Sequence, residues 1–275
     1  MNARLLFILL LFTIGALWYI IGYWRRKAGE AAFAAARLTE KSEERERYCR
    51  MAGHREACRM FCLLHPERFD GHSPHKPFKL RGIRISFYGY YYPSRYNALL
   101  NDEQRAFCHS IYQFKQGDIH GIEFFKTCMN ALQLKKRPYH IMFMPCSNWI
   151  KYGQRFKRLD WYIGKHRQDL TSGLYDVDIC DARESLHEAK GGEKRILERN
   201  YLITGKIKGK EIIIIDDVLT TGQSVVDYKE EIERCGGKVV AAIFYGKTLS
   251  MPSMLLVQIH VWGNHIAHII ERMTK

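Results

Sequence analysis

The chain of 275 residues has no Cys-x-x-Cys pair, no internal repeat and too few acids to balance its bases. The missing pair removes the zinc ribbon, and the missing repeat removes a solenoid. Eight cysteines (Cys49, Cys58, Cys62, Cys108, Cys128, Cys146, Cys180 and Cys235) are scattered without a regular framework. In a reducing compartment they are expected to be thiols, mostly buried as small hydrophobes. Cys49, His54, Cys58, Cys62 and His65 do cluster. Their spacings of four align side chains on one helix face, which suits either a metal or packing. With 43 Lys and Arg against 29 Asp and Glu, the formal charge is +14. That excess fits a domain held near anionic lipid, or one that binds nucleic acid or a polyphosphate. Charge alone does not choose between them.

Charge is also missing from Leu5 to Trp24, LLFILLLFTIGALWYIIGYW. Backbone polar groups cannot stay unpaired in hydrocarbon, so such a run is expected to span as a helix. Trp18, Tyr19, Tyr23 and Trp24 sit toward its end, where aromatic rings prefer the headgroup level. Arg25, Arg26 and Lys27 follow and place the C-terminal portion in the cytoplasm. A cleaved signal peptide is the rival, but the run is too long and its flank is basic. Residues 1–27 are thus expected to form a single-pass anchor, and residues 28–80 a proline-poor helical stalk with a linker at GHSPHKP. Residues 81–275 are expected to form the compact domain.

Within that domain IRISFYGYYY (83–92) reads as a strand, and its tyrosines as core or as stacking platforms for single-stranded DNA. Asn101 and Gln104 look like the cap of a helix that runs to Lys115. A second helix is expected near 119–135, a buried strand at 139–144, and a helix at 154–166. EIIII feeds a strand, 224–235 a helix, and KVVAAIFYG (238–246) another strand. Such alternation implies an α/β fold with a mostly parallel sheet flanked by helices.

The chemistry is concentrated in EIIIIDDVLTTGQS (211–224). Four isoleucines without alternation suit a central strand buried on both faces. Ligands bind beyond the carboxyl ends of such strands, where Asp216 and Asp217 stand. Thr220, Thr221, Gly222, Gln223 and Ser224 then turn into a helix N-terminus, which favours an anion. Carboxylates accept hydrogen bonds from sugar hydroxyls, and the hydroxyl-rich turn holds a phosphate. The pattern predicts a ribose 5-phosphate site. An ordinary turn with idle acids is disfavoured, because adjacent buried carboxylates repel.

IIIIDDVLTTGQS resembles the phosphoribosyl-pyrophosphate signature of type I phosphoribosyltransferases. SIYQFKQGD (110–118), IMFMPCSNWIKYGQRF (141–156) and RNYLITGKIKGKEIIIIDDVLTTG (199–222) resemble the ComF-like branch of that family, named for competence and DNA uptake. The branch's N-terminal Cys-x-x-Cys cluster is replaced by the apolar run, and Arg155 stands where Gly is usual. The resemblance implies phosphoribosyl pyrophosphate or a nucleotide as ligand, with Mg²⁺ held by Asp216 and Asp217. It implies catalysis by these acids and by Arg199, from a mobile loop that includes Lys190, Lys194 and Arg195. It also implies ligand contacts from Thr220 to Ser224 and a pyrophosphate loop at Cys146, Ser147 and Asn148. Thr220 replaces the acid of six-oxopurine members, which argues against hypoxanthine and guanine as acceptors. Two functions compete. One is a membrane-anchored phosphoribosyltransferase that releases pyrophosphate. The other is a non-catalytic nucleotide sensor or DNA-uptake accessory. Oligomers are compatible with both.

Overall fold

The computed structural model describes the backbone of residues 3–119, 121–179, 200–204 and 207–273, with side chains from residue 10 to 263 of these. Two compact units emerge. One comprises Met1–Asp70, Tyr96–Asp102 and Ser250–Lys275; the other comprises Gly71–Arg95 and Glu103–Leu249.

The first unit is helical. Helix α1 (Ala3–Leu38) is followed by α2 (Ser42–Ala52), α3 (Arg55–Leu64) and the short α4 (Pro66–Asp70). The expected stalk is therefore not one rod. Gly53 ends α2 with φ of 63°, a left-handed conformation that a side chain resists, and the chain turns back there. Gly29 of α1 lies where a Cβ would come 2.9 Å from the Ala52 carbonyl oxygen, so the two helices approach closely. Helix α3 buries Ala57, Cys58, Met60, Phe61, Cys62 and Leu63. The C-terminal helix, Met254–Met273, packs on α3 and belongs with this unit, not with the sheet domain where the sequence placed it. The side chains of Leu5–Leu9, with which the expected membrane span begins, lie outside the described residues. Among the described residues no helix is long and apolar enough to cross a membrane.

The second unit is an α/β sheet flanked by helices. In chain order its elements are β1 (Phe78–Leu80), β2 (Ile83–Tyr91), α5 (Asp102–Gln116), α6 (Ile122–Leu132), β3 (Tyr139–Phe143) and α7 (Trp149–His166). Then come β4 (Leu170–Ser172), β5 (Val177–Ile179), β6 (Tyr201–Ile203), β7 (Glu211–Leu219), α8 (Gln223–Arg234) and β8 (Lys238–Thr248). The C-terminal helix is α9. Strand order is β1-β2-β8-β7-β3-β4, with only β1 antiparallel. Strand β7 thus lies inside the sheet, between β8 and β3, as its isoleucines require. Ile212 to Ile215 are completely buried. Each contributes roughly 1.5–3 kcal/mol of burial, which offsets the cost of holding carboxylates at the strand's end. Strands β5 and β6 form a separate antiparallel ribbon that brackets residues 180–199.

Helix α7 begins at Trp149, earlier than the apolar spacing predicts, because the Asn148 side chain caps it and accepts from the Lys151 amide at 2.9 Å. Its buried Phe156 stacks on Phe143 of β3, ring centres 4.8 Å apart. Phe114 of α5 is buried as well, edge-on to Phe156 and to Tyr245 of β8. These rings fix α5 and α7 against the sheet. The residues that follow or precede them, Lys115 and Arg155, are then aimed by that packing.

Candidate active site at the end of strand β7

Asp216 and Asp217 stand in the C-terminal half of β7, where its pairing with β3 has ended at Ile215 and Phe143 while its pairing with β8 runs on to Leu219. Arg155 Nη1 reaches Asp217 Oδ2 at 2.7 Å and Asp216 Oδ1 at 3.7 Å. Lys115 Nζ lies 3.4 Å from the same Asp217 oxygen. The Asp217 amide donates to Asp216 Oδ1 at 2.8 Å, and the Val218 amide to Asp217 Oδ1 at 2.6 Å. Burial and the neighbouring Asp217 push the Asp216 carboxyl up to about 8, against the pull of Arg155. Burial works against the charge on Arg155, but Asp217, Cys146 and Asp216 together outweigh it and raise its pKa above the ordinary value. The Arg155 Nε atom is buried without a hydrogen-bond partner among the described residues.

The turn after β7 has the shape expected of an anion site. Gly222 precedes α8 with φ of 78°, and a Cβ there would sit 2.2 Å from Leu80 Cδ2. Glycine is required twice over, for conformation and for space. No side chain caps α8 at this point, and only the Thr221 hydroxyl approaches the Gln223 amide, at 3.4 Å. Thr220, Thr221, Gln223 and Ser224 are exposed. Beyond that one long contact, the first amides of α8 and the exposed hydroxyls around them suit an anion. Arg81, at the β1–β2 turn with φ of 45°, donates to Gln223 Oε1 at 2.6 Å and adds a positive charge beside the turn.

Other expected site residues have mixed fates. Cys146 is buried, and burial pushes its thiol up to about 12, so it is neutral and no nucleophile. The carbonyls of Cys146 and Ser147 accept from Asn200 Nδ2 at 3.2 and 3.4 Å, which holds the loop after β3 in place. The Asn148 side-chain oxygen is spent on capping α7. Arg199, Lys190, Lys194 and Arg195 lie outside the described residues. Tyr90 and Tyr92 are buried, Tyr88 packs edge-on to His75, and Tyr91 shares a 2.7 Å hydroxyl contact with Tyr112.

Magnesium was expected at the acid pair. Among the described residues no three or more His, Cys, Asp and Glu gather as metal ligands. The two carboxylates present already face Arg155 and Lys115, so a divalent cation there would meet two fixed positive charges. The donor set does not fit it. Among the described residues the Cys49, Cys58 and Cys62 thiols do not form a metal group either; all three are buried, and burial raises their pKa values, for Cys49 and Cys62 to about 12. His54 instead caps α3, its Nδ1 accepting from the Ala57 amide.

Residues 168–248 match the phosphoribosyl transferase domain. A stretch of 57 residues is 42% identical to the orotate phosphoribosyltransferase of Sulfolobus acidocaldarius. It covers 20% of this chain and 26% of that protein, so the chain spans about a quarter of the relative's length. The phosphoribosyl transferase match, residues 168–248, contains both acids and the whole turn. Lys115 and Arg155 fall outside it. Sequence reading named neither as part of the site. Arg155 did give a signal, a bulky cation where the resembling family has glycine.

Proposed function

We propose that the end of β7 binds the ribose 5-phosphate part of phosphoribosyl pyrophosphate, or of a nucleotide, and that the protein transfers phosphoribose to an acceptor with release of pyrophosphate. The observation that carries this is one continuous element. A strand with four completely buried isoleucines delivers two carboxylates and, three residues on, a hydroxyl-rich turn into a helix start that no N-cap side chain closes, inside the phosphoribosyl transferase match. Ring hydroxyls would donate to Asp217 and Asp216, while the amides and hydroxyls of 220–224 hold the 5-phosphate. As the bond from ribose C1 to the pyrophosphate oxygen breaks, its electron pair leaves with pyrophosphate and C1 becomes positive. The Asp217 carboxylate stabilises that charge, and an acceptor nitrogen closes the new bond to C1. Catalysis here is positioning and electrostatics, without a covalent nucleophile. Arg199 and the loop at Cys146 to Asn148 are proposed to face the pyrophosphate.

The relative's name makes orotate the first acceptor to try, followed by other nitrogen bases and amines. Calorimetry with phosphoribosyl pyrophosphate on the full chain is expected to show binding that Asp217→Asn weakens by roughly 10–100-fold, the loss of hydrogen bonds to a charged group. Equal binding by both proteins would reject the site. Pyrophosphate release on adding an acceptor then tests transfer. Arg155 on the acid pair favours a second reading, a non-catalytic ComF-like sensor or DNA-uptake accessory; tight binding without release for any acceptor would select it.

The exposed apolar sleeve of α1, from Leu10 through Trp24, supports anchoring in a membrane with the sheet unit on the cytoplasmic side. Resistance of the chain to alkaline extraction from membranes, and protease access to the sheet unit only from the cytoplasmic face, are the expected results.

A further inference from the structure

The acid pair has its own built-in cation. Two adjacent carboxylates at the end of a buried strand repel each other, and something positive must lie against them. In this chain Arg155 does so, 2.7 Å from Asp217 and 3.7 Å from Asp216, with Lys115 at 3.4 Å from Asp217. Both cations are held by packing. Arg155 is fixed beside Phe156, which stacks on β3, and only 16% of its side chain is exposed. Lys115 follows the buried Phe114. Arg155 is the more confined of the two, its side chain 16% exposed against 34% for Lys115. With Asp216 pushed up to about 8 by burial and by Asp217, the two positive side chains face little more than the one charge of Asp217 at neutral pH, so the cluster has no excess negative charge with which to draw a divalent ion.

A guanidinium also differs from a metal in what it leaves free. It meets one oxygen of Asp217, beside Lys115, and the lone pairs that the Asp217 and Val218 amides do not take are left to sugar hydroxyls. Its own Nε remains buried and without a partner, a donor that a bound oxygen could satisfy. We infer that Arg155, assisted by Lys115, takes the position of a divalent cation at this acid pair, so that the site binds its phosphorylated ribose without metal. This rests on the phosphoribose reading above and specifies its ligand as the metal-free polyanion. Arg155 acts as a positioning residue through the acids.

The test has two arms, both on the full-length chain. In the first, calorimetry follows phosphoribosyl pyrophosphate binding to the unaltered protein in excess EDTA and in millimolar MgCl₂. The affinities are expected to agree within about threefold. A larger loss in EDTA overturns the inference. The second arm needs no sugar ligand, and so separates a failure here from a failure of the phosphoribose reading. Electron paramagnetic resonance measures uptake of Mn²⁺ alone. The unaltered protein and Arg155→Lys should take up none at the acid pair, whereas Arg155→Ala should take up one ion and lose it again when Asp217→Asn is added. Uptake by the unaltered protein that Asp217→Asn abolishes, or no uptake by a folded Arg155→Ala, overturns the inference. Should Arg155→Ala not fold, the unaltered protein in both arms still decides.

Discussion

Two buried charge clusters sit at opposite ends of the paired strands β3 and β7, and they are finished differently. At the far end from the acids, His140 is 3% exposed and uses both ring nitrogens, Nδ1 with the Thr171 hydroxyl at 2.7 Å and Nε2 with Asp176 Oδ2 at 2.8 Å. Lys210 adds a charge 3.9 Å from Asp176. Gly173 makes room, since a Cβ there would sit 2.5 Å from His140 Nε2. Every member has a partner, and the cluster is closed. At the carboxyl end, two acids crowd together, Arg155 keeps a buried donor unused, and the adjoining helix start is uncapped. A completed polar cluster in a sheet is architecture. An incomplete one at the strand ends is where a ligand supplies what is missing.

The comparison can be broken by experiment. The largest effect is expected from Arg155→Met, which strands Asp217 beside Asp216 and should cost about 3–5 kcal/mol in unfolding free energy by denaturant titration. It should also change ligand binding. His140→Ala should cost about 2–3 kcal/mol, by leaving Asp176 without its imidazole, yet spare the site. Saturating phosphoribosyl pyrophosphate should raise the stability of this variant as much as that of the unaltered protein, about 2.7 kcal/mol at a hundredfold excess over Kd. A lost increment would mean that the two ends are not independent. Gly222→Ala comes next, about 1–2 kcal/mol for an L-residue in the left-handed region, with Leu80 forced to move and phosphate binding weakened. Thr171→Val should cost only about 1 kcal/mol, one hydrogen bond at a half-open edge.

Acidity sharpens the contrast further. Burial, and then the charge of Lys210, lower the His140 pKa below its ordinary 6.5, against the pull of Asp176. The unfolded chain takes up a proton at about 6.5, where the folded chain resists it. Stability from this group is therefore complete above that pH and is lost as pH falls through the lowered value. A stability profile against pH should fall on the acid side of 6.5, and His140→Gln should flatten that limb.

Where the chain writes its structure locally, the sequence is readable. Ile212 to Ile215, the acids and the turn at Gly222 are consecutive, and strand, charge and glycine each have one physical reason to be there. Strands β2, β3, β7 and β8 and helices α5, α6, α7 and α8 follow from similar short-range patterns, whereas the three-residue strands β4, β5 and β6 are too short to show any period. That Arg155 and Lys115 meet the acids is not legible, although both lie in stretches that carry the family resemblance, because α7 and α5 bring them to β7 through packed phenylalanines and no spacing in the chain records that approach. The Asn148 side chain caps α7, whose first turn, Trp149 to Tyr152, lies before the stretch from 154 to 166 in which helical spacing is legible. His140 and Asp176 are 36 residues apart and gave no joint signal. The folding-back of the N-terminal helices turns on Gly53 and on the close pass of Gly29 against Ala52, which composition reads only as a helix-rich stalk.

The central claim is that the two acids and the turn at 220–224 grip one molecule from both sides. Calorimetry of the full-length protein against ribose 5-phosphate, ribose and inorganic phosphate tests it most directly. Ribose 5-phosphate should bind well beyond either fragment, and Asp217→Asn should bring it down to the level of phosphate. If ribose 5-phosphate binds no better than phosphate to the unaltered protein, the acids do not see the sugar and the account is contradicted.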